Sequence, residues 1–242
     1  MSLPDPFFTA GEHIAIDLPG ARAVFTTRRG GHSAGPYESL NLGLLTADDE
    51  AAVKRNRATL SAELGVRLAH IRQVHGTLVQ RLHEPAEPAE PLEADGSATV
   101  SPGVAPIVLT ADCLPIAIAG GGAVAVVHAG WRGLTAGVVA EGISAVRELG
   151  AGGELAAAIG PGAGPCCYEV GDEVREAFAA YGPEVVHGRN VDLKAIARAQ
   201  LEEAGVSVVH DVGVCTICTD EFFSHRRDRG VTGRQAGVAW LT

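Results

Sequence analysis

The segment 110–133, TADCLPIAIAGGGAVAVVHAGWRG, restricts the fold more than any other part of the chain: two apolar runs stand on either side of a triple glycine. Short apolar runs divided by residues that accept positive φ predict a β-hairpin. With its loop at 119–122, partners across the hairpin sum to 241, which sets Cys113 opposite His128 at the open end, with both side chains on one face. A slip of one residue would send them to opposite faces, and Pro115 limits regular pairing beside them.

Further apolar runs at 13–18, 23–26, 77–82 and 104–109 predict strands, as do the two hairpin runs at 114–119 and 123–127, so buried sheet is expected as the majority element. Helices are predicted over 48–64, stopped by Gly65, and over 134–149, stopped by Gly150. Two more are predicted over 172–181 and 192–204, the last with Asn190 or Asp192 as its cap and Gly205 past its end. Strands cluster instead of alternating with helices, which favours an α+β architecture: a mixed β-sheet core with flanking helices, in one domain spanning 1–242. The segment 84–93, EPAEPAEPLE, is too rich in proline and carboxylate for helix or central strand and reads as an exposed loop.

A formal charge of −10 without a block of lysines or arginines excludes nucleic acid as a partner. No run approaches the roughly 20 apolar residues of a membrane span, and the opening residues lack the features of a secretory signal. A cytoplasmic monomer that contacts no membrane is expected. Five cysteines in a chain of this size favour free thiols or metal ligands over a disulfide framework.

A thiol facing an imidazole admits two chemistries: a nucleophile with its base, or two ligands of a soft-to-borderline metal such as zinc. Alone, Cys113 reads as an inert buried thiol and His128 as a core histidine. Together at the mouth of a hairpin that leads into Gly-Trp-Arg-Gly, they read as functional. The string Gln73-Val74-His75-Gly76 offers a third donor at a glycine-flanked strand end. Two nitrogens and a sulfur with a fourth position free would be a catalytic zinc arrangement. These residues by themselves leave metal site and nucleophile both open.

Ten strings carry a resemblance. They are TRRGGHS from Thr27, GPYESLNLG from Gly35, QVHG from Gln73, ADC from Ala111, HAGWRG from His128, IGP from Ile159, CYEVG from Cys167, CT from Cys215, FFSHRR from Phe222 and TGR from Thr232. Together, over about 27–234, they resemble the laccase-like polyphenol oxidoreductase family, whose members are purine nucleoside phosphorylases that also deaminate adenosine. The resemblance implies one catalytic zinc bound by His75, Cys113 and His128, with copper as the less favoured metal. It implies purine nucleosides (adenosine, inosine, guanosine or methylthioadenosine) and inorganic phosphate as partners. His225 stands where the family commonly has tyrosine, and 84–93 lengthens one loop. Nine histidines without a single His-x-His argue against four-copper oxidation chemistry.

A phosphorylase must place phosphate behind C1′ of the ribose and stabilise a cationic sugar. Arginines suit that task. Arg28, Arg29, Arg132, Arg226, Arg227 and Arg234 are candidates, with Arg28, Arg132 and Arg226 expected at the substrate together with Asn41, which can bond a ribose or base edge. Gly30 and Gly31 offer backbone amides to an anion. Asp112 and Asp95 are alternatives for a proton shuttle, and Trp131, Phe222 and Phe223 for purine stacking or core filling. Cys215-Thr-Ile-Cys218 has the spacing of half a zinc ribbon but no second Cys-x-x-Cys, and the side chains of Cys166 and Cys167 are expected to diverge, so all four read as structural. Two other classes compete with the zinc phosphorylase and deaminase: a cysteine hydrolase or deamidase using Cys113 with His128 as base, and a non-catalytic metal-binding protein.

Overall fold

The structure, a computed structural model, describes residues 2–82, 91–150 and 152–242. Its strands form two six-stranded sheets packed face to face, with helices on the outer side of each. The first sheet runs β1 (Phe8–Ala10), β2 (His13–Leu18), β3 (Ala21–Phe25), β14 (Gln235–Leu241), β7 (Val104–Thr110) and β4 (Arg67–Ala69). The second runs β13 (Val208–Asp211), β10 (Ala156–Ile159), β8 (Leu114–Gly120), β9 (Ala123–Ala129), β6 (Gly96–Thr99) and β5 (Val79–Leu82). A small ribbon pairs β11 (Val186–His187) with β12 (Asn190–Val191). The architecture is α+β as the sequence predicts, with two sheets where one mixed sheet was expected.

Side chains along β8 and β9 alternate between two cores. Ile116, Ile118, Ala125 and Val127 pack towards helices α3 (Val138–Glu148) and α5 (Leu193–Glu203), which contribute Val139, Ile143, Ile196 and Leu201. Ala117, Ala119, Val124 and Val126 pack between the sheets, against Ile16 and Phe25. Burial on both faces is the reason these runs are apolar throughout. Truncating Ile116 or Ile118, neither of them exposed, to alanine should cost about 2–5 kcal/mol. Helix α1 (Glu50–Leu64) covers the other face of the first sheet, with Leu60 against Ile107 and Val238.

Local chemistry sets the helix ends. The Asp49 carboxylate accepts the Ala51 N–H at the start of α1, and Gly65 closes it at φ 67. Asp192, not Asn190, caps α5 by accepting the N–H groups of Lys194 and Ala195. The helix predicted over 134–149 is in fact two, α2 (Trp131–Ala136) and α3, because Gly137 between them stands at φ 94, which an α-helix cannot continue. Helix α4 (Asp172–Ala177) is followed by a single 3₁₀ turn at Ala179–Tyr181.

The hairpin forms, but its register differs from the one predicted. Leu114 pairs with Ala129 and Pro115 with His128, so partners sum to 243. The turn has shrunk to Gly121 and Gly122, whose φ values of 56° and 82° fit a two-residue type I′ turn. His128 therefore lies opposite Pro115, not Cys113. A shift of two residues preserves the alternation of faces, so His128 keeps the inter-sheet side shared by Val124 and Val126. The loop expected over 84–93 lies outside the described residues as far as 90; beyond it, Glu93 pairs with Arg72 at 2.8 Å. Among the described residues no helix is long and apolar enough to cross a membrane.

Candidate metal centre

His75, Cys113 and His128 meet where the open end of the hairpin emerges between the two sheets, their ligand atoms all within 4.8 Å of one another. Each arrives differently. His128 is the penultimate residue of β9, Cys113 directly precedes β8, and His75 sits in a turn at φ 60. The two imidazoles meet edge to face with centroids 4.9 Å apart. Gly130 closes the site: a side chain there would put its Cβ 3.0 Å from the Cys113 sulfur and 3.3 Å from the His75 ring.

Asp95 organises the centre from behind. Fully buried, its carboxylate accepts four hydrogen bonds: from the backbone N–H groups of Val74 (3.1 Å), His75 (2.9 Å) and Gly76 (2.6 Å), and from His128 Nδ1 at 2.9 Å. Burial pushes this carboxyl up, but the bond from His128 and those from the backbone hold it below its ordinary range. It thus fixes the turn that presents His75, and it fixes the tautomer of His128 so that Nε2 is left for a ligand. An aspartate so fully engaged is a positioning group instead of a proton shuttle.

Burial alone would push the Cys113 thiol up, yet the charge of His128 and hydrogen bonds from both histidines bring it down to about 6. For His128, burial acts downward, and Cys113 and Asp95 together raise it to about 9, so the metal-free site holds a thiolate–imidazolium pair whose Nε2 proton a bound metal would displace. A thiolate at neutral pH is the form that binds metal. A tetrahedral zinc keeps N and S ligands about 3.3–3.8 Å apart, and the three donors converge closely enough to take it up with one position free.

The centre opens into a cavity of about 650 Å³, within the range of small-molecule sites. Leu44, Leu45, Ile71 and Pro91 give it an apolar wall, and Arg57, Arg226 and Arg234 bring positive charge. Arg57 Nε donates to the Leu42 carbonyl at 2.8 Å, and Arg234 donates to the Thr232 and Gly233 carbonyls. Burial lowers both guanidinium groups, Arg57 to about 10. Neither makes an ion pair among the described residues, so both retain charge for an anionic ligand. Arg226 lies over the Tyr168 ring at 5.0 Å and donates to the Glu169 carbonyl, while its backbone N–H bonds Asp112 Oδ2 at 2.7 Å. Asp112 Oδ1 accepts from Thr216 Oγ1 at 2.7 Å, so this second carboxylate too is occupied in holding loops together.

Of the substrate contacts expected from sequence, Arg226 lines the cavity and the others do not. Arg28 stacks on Phe223 at 4.6 Å and donates to the Glu38 carbonyl. Arg132 is exposed and lies over the Trp131 ring at 4.3 Å. Asn41 is buried with its amide fully engaged: it donates to Thr46 and Asp48 and accepts from the N–H groups of Gly43 and Arg234. It therefore shapes the cavity wall from outside. Phe222 and Phe223 are entirely buried, and Trp131 packs on the helix-side core. The Gly31 amide is taken by Ser39 Oγ at 3.1 Å. Sequence reasoning passed over Arg57, His70 and Tyr168, which line the cavity from α1, from the end of β4 and from the loop after β10. Arg57 and His70 lie in segments without a motif, and Tyr168 read as packing.

Fold and donor set together define an α+β protein of two stacked sheets with a candidate mononuclear N,N,S metal centre. The chain belongs to the family described as multi-copper polyphenol oxidoreductase laccase, whose model matches residues 22–242. Purine nucleoside phosphorylase PA4543 of Pseudomonas aeruginosa is 43% identical over 233 residues, covering 91% of this chain and 93% of that protein. Purine nucleoside phosphorylase YfiH of Escherichia coli is 40% identical over 234 residues, covering 92% and 94%. The crystal structure of YlmD from Geobacillus stearothermophilus aligns with a TM-score of 0.89 at 35% identity over 98% of this chain and 99% of that one. The sequence has no His-x-His pair for a multi-copper centre. Among the described residues only two groups bring three or more candidate ligands together, the centre above and a set of four cysteines.

Proposed function

We propose that this protein is a purine nucleoside phosphorylase with adenosine deaminase activity, acting in one catalytic domain on adenosine, inosine, guanosine or methylthioadenosine, with zinc held by His75, Cys113 and His128. The observation that carries this reading is one cavity joining an N,N,S donor set, an apolar wall and guanidinium groups that make no ion pair among the described residues. Zinc bound there would supply Lewis acidity, the property that makes water acidic enough to ionise near pH 7.

The chain's own residues do the remaining work. Leu44, Leu45 and Ile71 offer the apolar surface for a flat base. Arg57, Arg226 and Arg234 hold phosphate with an oxygen directed at C1′. That oxygen forms the new C–O bond as the bond to the purine nitrogen breaks, and the departing base takes up a proton, giving free base and ribose 1-phosphate. In deamination, water adds at C6 of adenosine and ammonia leaves, giving inosine.

The test is to incubate the protein with adenosine, with and without phosphate, and identify the products. Adenine and ribose 1-phosphate should appear only with phosphate, inosine and ammonia in both cases. Formation of neither pair would sink the proposal.

A second reading rests on a specific observation: Cys113, His128 and Asp95 stand in the order nucleophile, base and orienting carboxylate. A cysteine hydrolase of this kind would work metal-free and lose activity to iodoacetamide at Cys113. A zinc enzyme would lose activity to chelation and regain it with zinc.

A further inference from the structure

Far apart in sequence, Cys166, Cys167, Cys215 and Cys218 converge, and all four sulfurs lie within 4.8 Å of one another. Cys167 Sγ is 2.9 Å and Cys166 Sγ 3.4 Å from Cys218 Sγ. The adjacent pair was expected to diverge. A tight turn, in which the N–H groups of Cys167 and Tyr168 both bond the Gly164 carbonyl, sends both sulfurs to the same side instead. We propose that these four cysteines bind a second zinc ion, in a closed tetrathiolate site that ties the loop carrying Tyr168 to the loop carrying Thr216.

The dimensions suit one ion. Four thiolates at about 2.3 Å from a tetrahedral zinc stand about 3.8 Å apart, in the middle of the spacing seen here. Two disulfides, Cys167 with Cys218 and Cys166 with Cys215, are the competing arrangement for these sulfurs. Gly164 N–H donates to Cys215 Sγ at 3.2 Å. Four thiolates this close together repel one another unless a cation neutralises them. The buried Lys194 bonds the Val214 carbonyl at 2.8 Å, fixing the chain directly before Cys215. Cys166 and Cys218 are exposed, which gives an ion a way in.

Besides the bond from Gly164 to Cys215, two backbone bonds join the loops that the ion would hold together. Gly162 N–H bonds the Val214 carbonyl at 3.3 Å and Thr216 N–H bonds the Gly162 carbonyl at 3.1 Å. Beyond these contacts stand Tyr168, under Arg226, and Thr216, bonded to Asp112. The tetrathiolate thus sits behind the cavity wall and has no free position for substrate.

The experiment counts zinc by mass spectrometry in the full chain, purified with reductant, loaded with zinc chloride and desalted. Wild type should carry two ions per chain. Cys113→Ser should keep one, with X-ray absorption showing only sulfur neighbours, and a Cys215→Ser, Cys218→Ser double variant should keep one with mixed nitrogen and sulfur neighbours. Should the double variant fail to fold, wild type alone still decides: two such sites average between two and three sulfurs per zinc, the N,N,S site alone a single one. One zinc in wild type that Cys113→Ser removes would overturn the proposal. So would alkylation, after denaturation of protein purified without reductant, that leaves cysteines unlabelled, because the cluster would then be disulfide-bonded.

Discussion

The two clusters of ligating side chains differ in what surrounds them. His75, Cys113 and His128 stand at strand ends between two sheets, with a buried carboxylate behind and a cavity of about 650 Å³ in front. The four cysteines sit on two loops, half of them exposed, with backbone N–H donors in place of a carboxylate. Three ligands beside a cavity leave room for substrate, whereas four ligands complete a tetrahedron and leave only a mechanical role. The first arrangement asks the sheets for rigidity. The second would tie two loops together.

The hardest test of that contrast is to remove a ligand from each. His75→Ala or Cys113→Ala should lower both phosphorolysis and deamination by at least about 10³-fold, several kcal/mol of transition-state stabilisation. The Cys215→Ser, Cys218→Ser variant should retain turnover and lose thermal stability instead, measured as the calorimetric midpoint. Equal loss of turnover in the two variants would erase the distinction.

Next in size is the charge in the cavity. Arg57→Ala, Arg226→Ala or Arg234→Ala should each reduce phosphorolysis by about 10²–10³-fold, with zinc content unchanged and deamination less affected. Arg132→Ala, at an exposed position outside the cavity, should cost less than about tenfold. Steady-state kinetics in phosphate and in adenosine separates the two outcomes, and a steep loss with Arg132→Ala would redraw the site.

A smaller effect is expected at Asp95. Asp95→Asn should weaken zinc binding at the first site by about 10–100-fold, because the orienting partner of His128 is lost, and excess zinc should restore activity. Chelator competition in this variant should leave the tetrathiolate ion in place.

The smallest effect is one of pH. Burial, with a contribution from Arg57, lowers His70 to about 3, against about 6.5 in the unfolded chain. The unfolded state therefore takes up the proton first. The stability His70 supports is complete above about pH 6.5 and is lost as pH falls towards 3, with a slope of at most about 1.4 kcal/mol per unit. Urea midpoints at pH 7 and pH 5 should drop more for wild type than for His70→Gln. Equal drops would place the sensitivity elsewhere, the cysteine loops included.

Much of this was legible in the sequence wherever chemistry is local. The hairpin runs and the Gly65 stop of α1 depend on neighbours a few residues away, and the alternation of faces was enough to put Cys113 and His128 on the same side although their register was not. Strands such as Gly96–Thr99 and Ala156–Ile159 were not legible, because their small residues carry little strand preference and take that form from flanking strands. The hairpin register escaped by two residues, since three glycines allow several turns and only the packed sheets select one.

Tertiary structure alone decided the rest. Arg57 and Arg234, 177 positions apart by their numbering, reach one cavity because the first sheet seats β14 beside β7 with α1 packed over them. Four cysteines that spacing did not unite meet because β10 and β13 run parallel and deliver their following loops to the same end of the sheet. Sequence determines what each residue can do. Which residues do it together is set by strand order, the long-range pairing that no local pattern encodes.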